Sequence, residues 1–434
     1  MDLENYQQAF GASDKTGSLM AKAIKNWFAL YYGKGDESQR IAYTVVNKLC
    51  RGMFAEYGAG AQTPFEKAVL SGLDSISREA VQLALTGGEC FIKPCLAGEN
   101  FLFTLIPRDQ ILIFGRDHKG MPTDVGTVEK SVLGRFHYTL LERRKVDEKG
   151  YLTIENQLFR SLHPNVLGQR VSLNDHPMYA GLAPRYTYQK PIGSVGLARV
   201  KTPMVNCVDG SKEGVAVFAP ACEMIRAIQE NEIQFAGEFQ RGQSRILVSK
   251  DLLDDGCLKD NVFVGLDDDP DRVGIQIFAP QLRQESFIRR KQEYLRNIET
   301  VIGLKRGTLS DANFSQRTAT EISASQAEHN LALMDFQQMW EQAVRETIGL
   351  CRILAGLYGV KTGDKGTVSF DWGNGVLFDE EKTWADYRDM VSAGLIAPEV
   401  ALGWRFNMPA NTEEERAIIR KRLMPKNGQL TMDN

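Results

Sequence analysis

A helical pattern changes into a strand pattern in the segment Ala84-Leu85-Thr86-Gly87-Gly88-Glu89-Cys90-Phe91-Ile92-Lys93-Pro94. The helix is expected to end at Thr86, because Gly87 and Gly88 follow it as stop signals. From Glu89 to about Val208, short runs of β-branched and aromatic residues alternate with turn residues and predict hairpins of an antiparallel or mixed sheet. A block of helices followed by a block of strands favours an α+β fold over a doubly wound one.

The helix before this change has a recognisable start. Thr63 can act as its N-cap, Pro64 suits the first turn, and Glu66 would complete a capping box. Earlier segments also show apolar residues at helical spacing. The chain up to residue 86 is therefore predicted to be helical.

A second set of helical patterns follows the strand-rich region. Apolar residues at near-helical spacing predict a helix from about Val215 to Arg241, closed by Gly242, and another over Gln284–Ile302. Residues 245–283 lie between them and contain short strand patterns. The polar, glycine-bearing segment Gly303–Arg317 predicts an irregular loop.

The longest helical pattern begins after this loop. Thr318 and Glu321 form a predicted capping box at its start, and the pattern reaches about Tyr358. The rest of the chain is predicted to contain a strand over Thr367–Trp372, a helix over Glu380–Ser392, a turn from Pro398, and a helix capped by Thr412 and Glu415.

Composition restricts the class of protein. Of 434 residues, 43% are hydrophobic and 25% are charged, which is ordinary for a globular chain and argues against disorder as the main state. The length suggests about three domains. Lys and Arg number 52 against 55 Asp and Glu, so the formal charge is −3. This balance argues against a protein that grips DNA through its bulk charge.

Cysteine usage and hydropathy bear on the compartment. Seven cysteines without C-x-x-C spacing argue against a disulfide framework and a zinc site. The most apolar segment, Phe101–Phe114, is interrupted by Pro107, Arg108 and Asp109, so no membrane span is expected. The N-terminus lacks the pattern of a signal peptide. We expect buried thiols in a protein made in a reducing cytoplasm.

Motifs for catalysis are missing from the sequence. It contains no P-loop, no complete dinucleotide fingerprint around Gly58 and Gly60, and neither G-x-S-x-G nor H-E-x-x-H. The five histidines lack ligand-like spacing. We therefore predict no catalytic residues, no metal and no cofactor.

The acidic run at residues 267–271 is considered first as a calcium-binding loop. Asp267, Asp269 and Asp271 would occupy its first three ligand positions, but the sixth is Arg272 rather than Gly and the twelfth is Phe278 rather than Glu. A solvated turn fits better, and an acidic knob that docks a basic partner is the alternative. Asp268 belongs to the same run.

Two further charged patterns are candidate sites. The polar loop could touch phosphates without reading bases, or it could be an ordinary exposed loop; its candidate residues are Lys305, Arg306, Asn313, Ser315, Gln316 and Arg317. On the first long helix, Glu223, Glu230 and Glu238 are spaced to share a face. The basic run Arg289-Arg290-Lys291 on the second, together with Arg283 and Arg296, is interpreted as a solvated or paired face rather than a DNA contact.

The ordered set of these features resembles the portal proteins of tailed bacteriophages, in the branch once labelled minor capsid proteins of phages of Gram-positive hosts. The resemblance extends from about residue 20 to 424. Its segments are Ala84–Pro94 with Ile106-Pro107; Tyr138–Glu142 with Tyr151–Asn156; Lys201–Asn206 with Gly214 and Glu238–Gly242; Ile302–Leu304 with Gly307–Ser310 and Thr318–Ile322; and Val391–Ile396.

The resemblance implies a structural ring, usually of twelve subunits, at one capsid vertex of the virion, assembled in the cytoplasm of a host bacterium. Double-stranded DNA would pass through its channel without sequence recognition, driven in by a separate terminase. Implied partners are the terminase large subunit, a head–tail adaptor, and the major capsid and scaffolding proteins. No membrane is involved.

The resemblance also implies a division of the chain. The portal-type domains would be a wing (1–213), a first stem helix (214–242), a clip (243–283), a second stem helix (284–303), a tunnel loop (304–318), a long kinked tunnel helix with a returning wing strand (319–377), and a short helical crown (378–434). Because a channel must let a polyanion slide, the acidic helix face would help if it faces the lumen. We also predict that the acidic run in the clip docks the terminase or adaptor.

Two other functions remain open on the residues alone. One is a capsid-associated scaffold or adaptor without a DNA channel. The other is a soluble α+β enzyme in which clustered carboxylates with raised pKa values do acid–base chemistry.

Overall fold

The computed structural model describes residues 6–33, 39–98, 100–242, 245–249, 263–266, 276–278, 281–311, 319–373, 380–406, 408–410 and 412–424. The chain divides into a first unit, Met1–Trp372, and a second unit, Gly373–Asn434. Among the described residues, no helix combines the length and apolarity needed to cross a bilayer.

The described part of the first unit mixes helices and strands in separate blocks. Its helices are α1 (Gln7–Phe10), α2 (Ser18–Tyr32), α3 (Ile41–Met53), α4 (Pro64–Gly87), α5 (Cys222–Arg241), α6 (Gln284–Ile302) and α7 (Ala319–Leu357). Its strands are β1 (Gly58–Ala61), β2 (Glu89–Ala97), β3 (Asn100–Pro107), β4 (Ile111–Arg116), β5 (Pro122–Leu133), β6 (Phe136–Val146), β7 (Leu152–Ser161), β8 (Gln169–Val171), β9 (Arg185–Thr187), β10 (Ala198–Lys201), β11 (Arg245–Ser249), β12 (Phe263–Leu266), β13 (Gln276–Phe278) and β14 (Val368–Asp371). The predicted α+β class is confirmed.

The strands form four sheets within the described residues. The largest runs β4-β5-β6-β7-β8, with β9 also paired to β7, and all its pairs are antiparallel. A smaller sheet runs β10-β2-β3 and packs against α4 and α7. In the third, β11 pairs parallel with β12 and antiparallel with β13. The fourth joins β1 to β14 across almost the whole unit, with Gly60 opposite Ser369.

One main core connects the helical layer to the smaller sheet. Trp27, Trp340 and Phe218 are among its largest fully buried side chains. Burying an aromatic side chain of this size contributes roughly 1.5–3 kcal/mol, so these residues dominate the packing of α2, α7 and the segment before α5.

The start of α4 agrees only in part with the sequence pattern. The Thr63 hydroxyl accepts the Glu66 N–H at 3.4 Å, as an N-cap should, and Pro64 occupies the first turn. The Glu66 carboxylate does not complete the predicted capping box. It is buried instead, where it accepts from the Arg352 Nε at 3.1 Å and from the Gly366 N–H at 3.2 Å. A buried carboxylate is stabilised more by a guanidinium than by one exposed backbone N–H, and this explains the departure.

The first long helix starts later than predicted. Residues 215–218 are fully buried but not α-helical, and α5 begins at Cys222. The Val217 N–H donates to the Leu85 carbonyl at 2.9 Å, and the Thr202 hydroxyl donates to the Val215 carbonyl at 2.7 Å. These partners are distant in sequence, so the local apolar pattern cannot reveal them.

Two glycines allow this segment to approach the end of α4. Gly88 has a φ of 81°, and a Cβ on it would lie 2.3 Å from the Gly214 carbonyl carbon. A Cβ on Gly214 would lie 2.1 Å from the Gly88 oxygen. Only residues without side chains fit this contact.

The second unit contains α8 (Glu380–Ser392), α9 (Pro398–Arg405) and α10 (Glu413–Leu423). The turn predicted from Pro398 is thus the start of an eight-residue helix. The capping box predicted for α10 is confirmed, because Thr412 and Glu415 exchange side-chain-to-backbone hydrogen bonds of 3.3 and 3.0 Å. The capping box predicted at Thr318 and Glu321 lies outside the described residues.

Candidate functional site

Helices α5 and α6 lie side by side in opposite directions. The end of α5 contacts the start of α6, and the Lys291 ammonium pairs with Glu232 at 3.2 Å. Between the helices, Phe235 stacks on Phe287 with ring centroids 5.2 Å apart. The Asn231 amide is buried and donates to the Phe287 carbonyl at 3.2 Å. The pair is therefore held by specific polar and aromatic contacts along its length.

The structure separates the three acidic residues of the predicted face on α5. Glu223 and Glu230 are exposed, and Glu223 pairs with Arg226 at 2.6 Å. Glu238 instead accepts the Arg283 N–H at 2.9 Å and its guanidinium at 2.7 Å. These hydrogen bonds to Arg283 lower the pKa of the Glu238 carboxyl. The structure therefore leaves two of the three carboxylates facing solvent, and one is used to join α5 to α6.

The basic run on α6 also contains both paired and exposed side chains. Lys291 pairs with α5, and Arg296 lies 3.6 Å from Glu293 on its own helix. Arg289 and Arg290 are exposed and line a groove of about 600 Å³ with other residues of α6, which are Glu285, Ser286, Glu293, Tyr294 and Asn297. Of the three side chains in the run, Lys291 is thus paired, and Arg289 and Arg290 face a groove.

Of the predicted loop residues, the structure describes Lys305 and Arg306. Lys305 is half-buried and Arg306 is exposed. Asn313, Ser315, Gln316 and Arg317 lie outside the described residues, as does the acidic run Asp267, Asp268, Asp269 and Asp271. Contact of these residues with DNA or with a docking partner stays a prediction.

The sequence interpretation missed the residue that shapes this loop. Glu299 lies in the last turn of α6, is completely buried, and accepts hydrogen bonds from three residues of the loop. A signal was available in the sequence. In the last turn of a helix, an acidic side chain is repelled by the negative end of the helix dipole. Its presence there indicates that a specific partner stabilises it.

A second buried group of charges lies where α4 leads into β2. We call it the Glu89 cluster; it consists of Glu89, Arg108, Arg116, Arg199 and Glu213. Glu89 pairs with Arg199 and accepts the Gly214 N–H at 2.6 Å. Glu213 lies 3.0 Å from Arg108 and 3.3 Å from Arg116. Burial alone would raise the pKa of Glu89, but the positive charges of the three arginines outweigh it and lower the pKa.

The buried thiols are poor candidates for chemistry. Burial raises the pKa of Cys50 to about 11 and of Cys222 to about 12. A thiol with so high a pKa is not a nucleophile near neutral pH. Within the described parts of the chain, His, Cys, Asp and Glu side chains form no group of three that could hold a metal ion.

Comparison with known proteins identifies the family. The family model described as phage portal protein, SPP1 Gp6-like, matches residues 186–421. That range includes the α5–α6 pair, the loop with its Glu299 contacts, α7 and the second unit as far as residue 421. No curated protein gives a significant match. Because the match covers more than half of the chain, this protein belongs to the SPP1 Gp6-like family of phage portal proteins.

Proposed function

We propose that twelve copies of this chain form a ring at one vertex of a phage capsid, with an axial channel for double-stranded DNA. The observation that carries this proposal is the family match, which spans the paired helices, the loop and the long helix that follow one another along the chain. The role is structural. Energy for packaging would come from a separate terminase, in keeping with the missing P-loop.

The proposed parts of the ring follow the order of the elements. Residues 1–213 would form the wing, α5 and α6 the stem, and residues 243–283 the clip between them. The tunnel loop would occupy residues 304–318, α7 and β14 would provide the tunnel helix and the returning wing strand, and residues 378–434 would form the crown.

Exposed apolar side chains on the stem helices support assembly. Ile233 is 70% exposed on α5, and Ile288 is 50% exposed on α6. A ring closes through a heterologous interface, in which two different faces of the subunit meet. We propose that the α6 face with Arg289 and Arg290 belongs to one of these faces and that the exposed side of α5 belongs to the other.

Charge supports a channel that lets DNA slide. Twelve copies at −3 each carry −36, so the ring has no general attraction for a polyanion. Glu223 and Glu230 would repel DNA from the wall if they face the lumen, and Lys305 and Arg306 would give brief phosphate contacts. The acidic run 267–271 would dock the terminase large subunit and later the head–tail adaptor.

Imaging of the purified protein, with its native mass, tests the assembly. We expect rings with an axial pore wide enough for a duplex and a mass of twelve times 48.6 kDa, about 580 kDa. A compact monomer, or an assembly closed at its axis, would overturn the proposal. The latter result would favour a capsid-associated adaptor or scaffold.

Deleting residues 312–316 tests the loop. We expect rings to assemble normally, because the described anchor of the loop ends at Asp311 and is kept in this variant. We expect DNA packaging to fall, because the deletion removes residues that are proposed to contact the DNA. Packaged DNA of normal length would remove the proposed role of these residues.

Replacing the four aspartates 267, 268, 269 and 271 with asparagine tests docking. We expect weaker capture of terminase or adaptor in a pull-down with intact rings. Unchanged capture would leave the run as a solvated turn.

A further inference from the structure

A buried carboxylate closes helix α6. Glu299 is 0% exposed and lies one turn from the helix end at Ile302. The carbonyl groups of that turn carry partial negative charge, and burial removes the water that would otherwise stabilise the carboxylate. The position is therefore tolerated only if other groups donate hydrogen bonds to it.

The loop after α6 supplies these donors. Glu299 Oε1 accepts the backbone N–H groups of Leu309 at 2.5 Å and Ser310 at 2.8 Å. Its Oε2 accepts the Gly307 N–H at 3.3 Å and the Ser310 hydroxyl at 2.8 Å. All four donors are neutral groups within eleven residues of Glu299. The carboxylate therefore fixes the path of the backbone rather than pairing with a distant charge.

A second acceptor lies on the same face of α6. Gln292 precedes Glu299 by seven residues, which is two helical turns or about 10 Å. Its Oε1 accepts the Asp311 N–H at 2.8 Å. The loop is thus held against α6 at two points, and residues 307–311 run back along the helix.

The loop itself fits this attachment. Leu304 and Ser310 are buried, and Gly307 has a φ of 87°, which favours glycine. The Leu304 N–H donates to the Glu299 carbonyl at 2.8 Å. Residues 304–311 therefore form one packed unit with the last three turns of α6.

We propose that Glu299 and Gln292 lock residues 304–311 to α6, so that a displacement of α6 moves this part of the loop as a rigid unit. Both are positioning residues. The attachment of residues 304–311 to α6 is a property of the single chain and does not depend on the proposed function. Its consequence for DNA rests on the proposed function: a stem movement caused by a bound motor would reach the tunnel loop directly.

Hydrogen exchange of the purified full-length protein tests the lock. In Glu299→Gln, an NH2 group replaces one carboxylate oxygen and faces hydrogen-bond donors of the loop, while only one oxygen remains as an acceptor. We expect the amides of Gly307, Leu309 and Ser310 to exchange at least tenfold faster. The matched control is Glu293→Gln, on the same helix but 64% exposed, which should leave these rates unchanged.

Two milder variants keep the test decisive if Glu299→Gln does not fold. Gln292→Ala should speed exchange at Asp311 at least tenfold, and Ser310→Ala should speed exchange at Gly307 and Leu309 about fivefold. Rates unchanged in every folded variant would overturn the lock.

Packaging assays separate the lock from the proposed function. Faster exchange with reduced DNA packaging in the same variant supports the coupling. Faster exchange with normal packaging would overturn the coupling while the lock stands. A wild-type protein without an axial pore would refute the proposed function without changing the exchange result.

Discussion

Two completely buried glutamates are stabilised by opposite means. Glu89 is surrounded by positive charge, and its ion pair with Arg199 is reinforced by Arg108 and Arg116. Glu299 accepts from backbone N–H groups and one hydroxyl. Both arrangements satisfy a buried carboxylate, but only the first depends on buried cations.

The difference follows the sequence distance of the partners. Arg199 is 110 residues from Glu89, so the Glu89 cluster joins elements formed far apart along the chain. The partners of Glu299 lie within eleven residues and belong to one loop. The charged cluster therefore stabilises the tertiary fold, whereas the Glu299 contacts shape one local segment.

The largest effect is expected from Glu89→Gln. Removing the carboxylate charge leaves Arg199 buried without its partner, which typically costs about 3–5 kcal/mol. The free energy of unfolding from urea titration measures this loss. Glu223→Gln, at a position 85% exposed, is the control with little expected change. A loss below about 1 kcal/mol would contradict the role assigned to the cluster.

A third buried carboxylate, that of Glu142, is also stabilised by positive charges, and the pH dependence of the free energy of unfolding tests this. Glu142 on β6 contacts Lys93 at 2.8 Å and Arg144 at 2.7 Å. Burial raises its pKa, but Arg144 and Lys93 more than offset this, and the pKa lies at about 2 against an ordinary 4.5. Its contribution, about 3 kcal/mol, is therefore complete above pH 4.5 and disappears as the pH falls towards 2.

Comparing wild type with Glu142→Gln measures this contribution. We expect the difference in free energy of unfolding to be largest at pH 7 and to shrink steadily below pH 4.5. A difference that stays constant between pH 7 and pH 2.5 would show that charge is not the source of the stabilisation.

A smaller loss is expected from Glu299→Gln, about 1–3 kcal/mol, because no cation loses its partner among the four donors. Urea unfolding measures it beside Glu89→Gln. A loss larger than that of Glu89→Gln would reverse the comparison.

The smallest effect is expected from Ser310→Ala, about 1 kcal/mol, since one of four hydrogen bonds is removed. Thermal unfolding measures it, with the exposed Ser286→Ala on α6 as control. Equal melting temperatures for both variants would mean that the hydroxyl contributes nothing to the anchor.

Local sequence signals were sufficient for some elements. Helix α6 has the predicted bounds, Gln284–Ile302, because its apolar stripe is regular and Gly303 ends it with a φ of 76°. The start of α5 was wrong, since residues 215–218 take their hydrogen bonds from Leu85 and Thr202. The spacing of apolar residues in the sequence does not reveal hydrogen-bond partners that lie far away along the chain.

The candidate site shows the same limit. The family was predicted from ordered motifs, and the family match confirms it. The roles of Lys305, Arg306 and the acidic face of α5 stay predictions. The place of Glu299 in the last turn of α6 indicates that it has a partner, but the sequence does not reveal which one, because its partners are mostly backbone groups whose positions depend on how the loop folds.

The pairing of β1 with β14 has a consequence for synthesis of the chain. Gly60 and Ser369 are 309 residues apart, and Glu66 lies 286 residues before Arg352 and 300 before Gly366. At ribosomal rates of roughly 5–20 residues per second, the emerging N-terminal helices remain without these partners for roughly 15–60 s. The nascent polypeptide therefore exposes apolar surface and an open strand edge over that interval, which makes it prone to aggregation until these partners are synthesised.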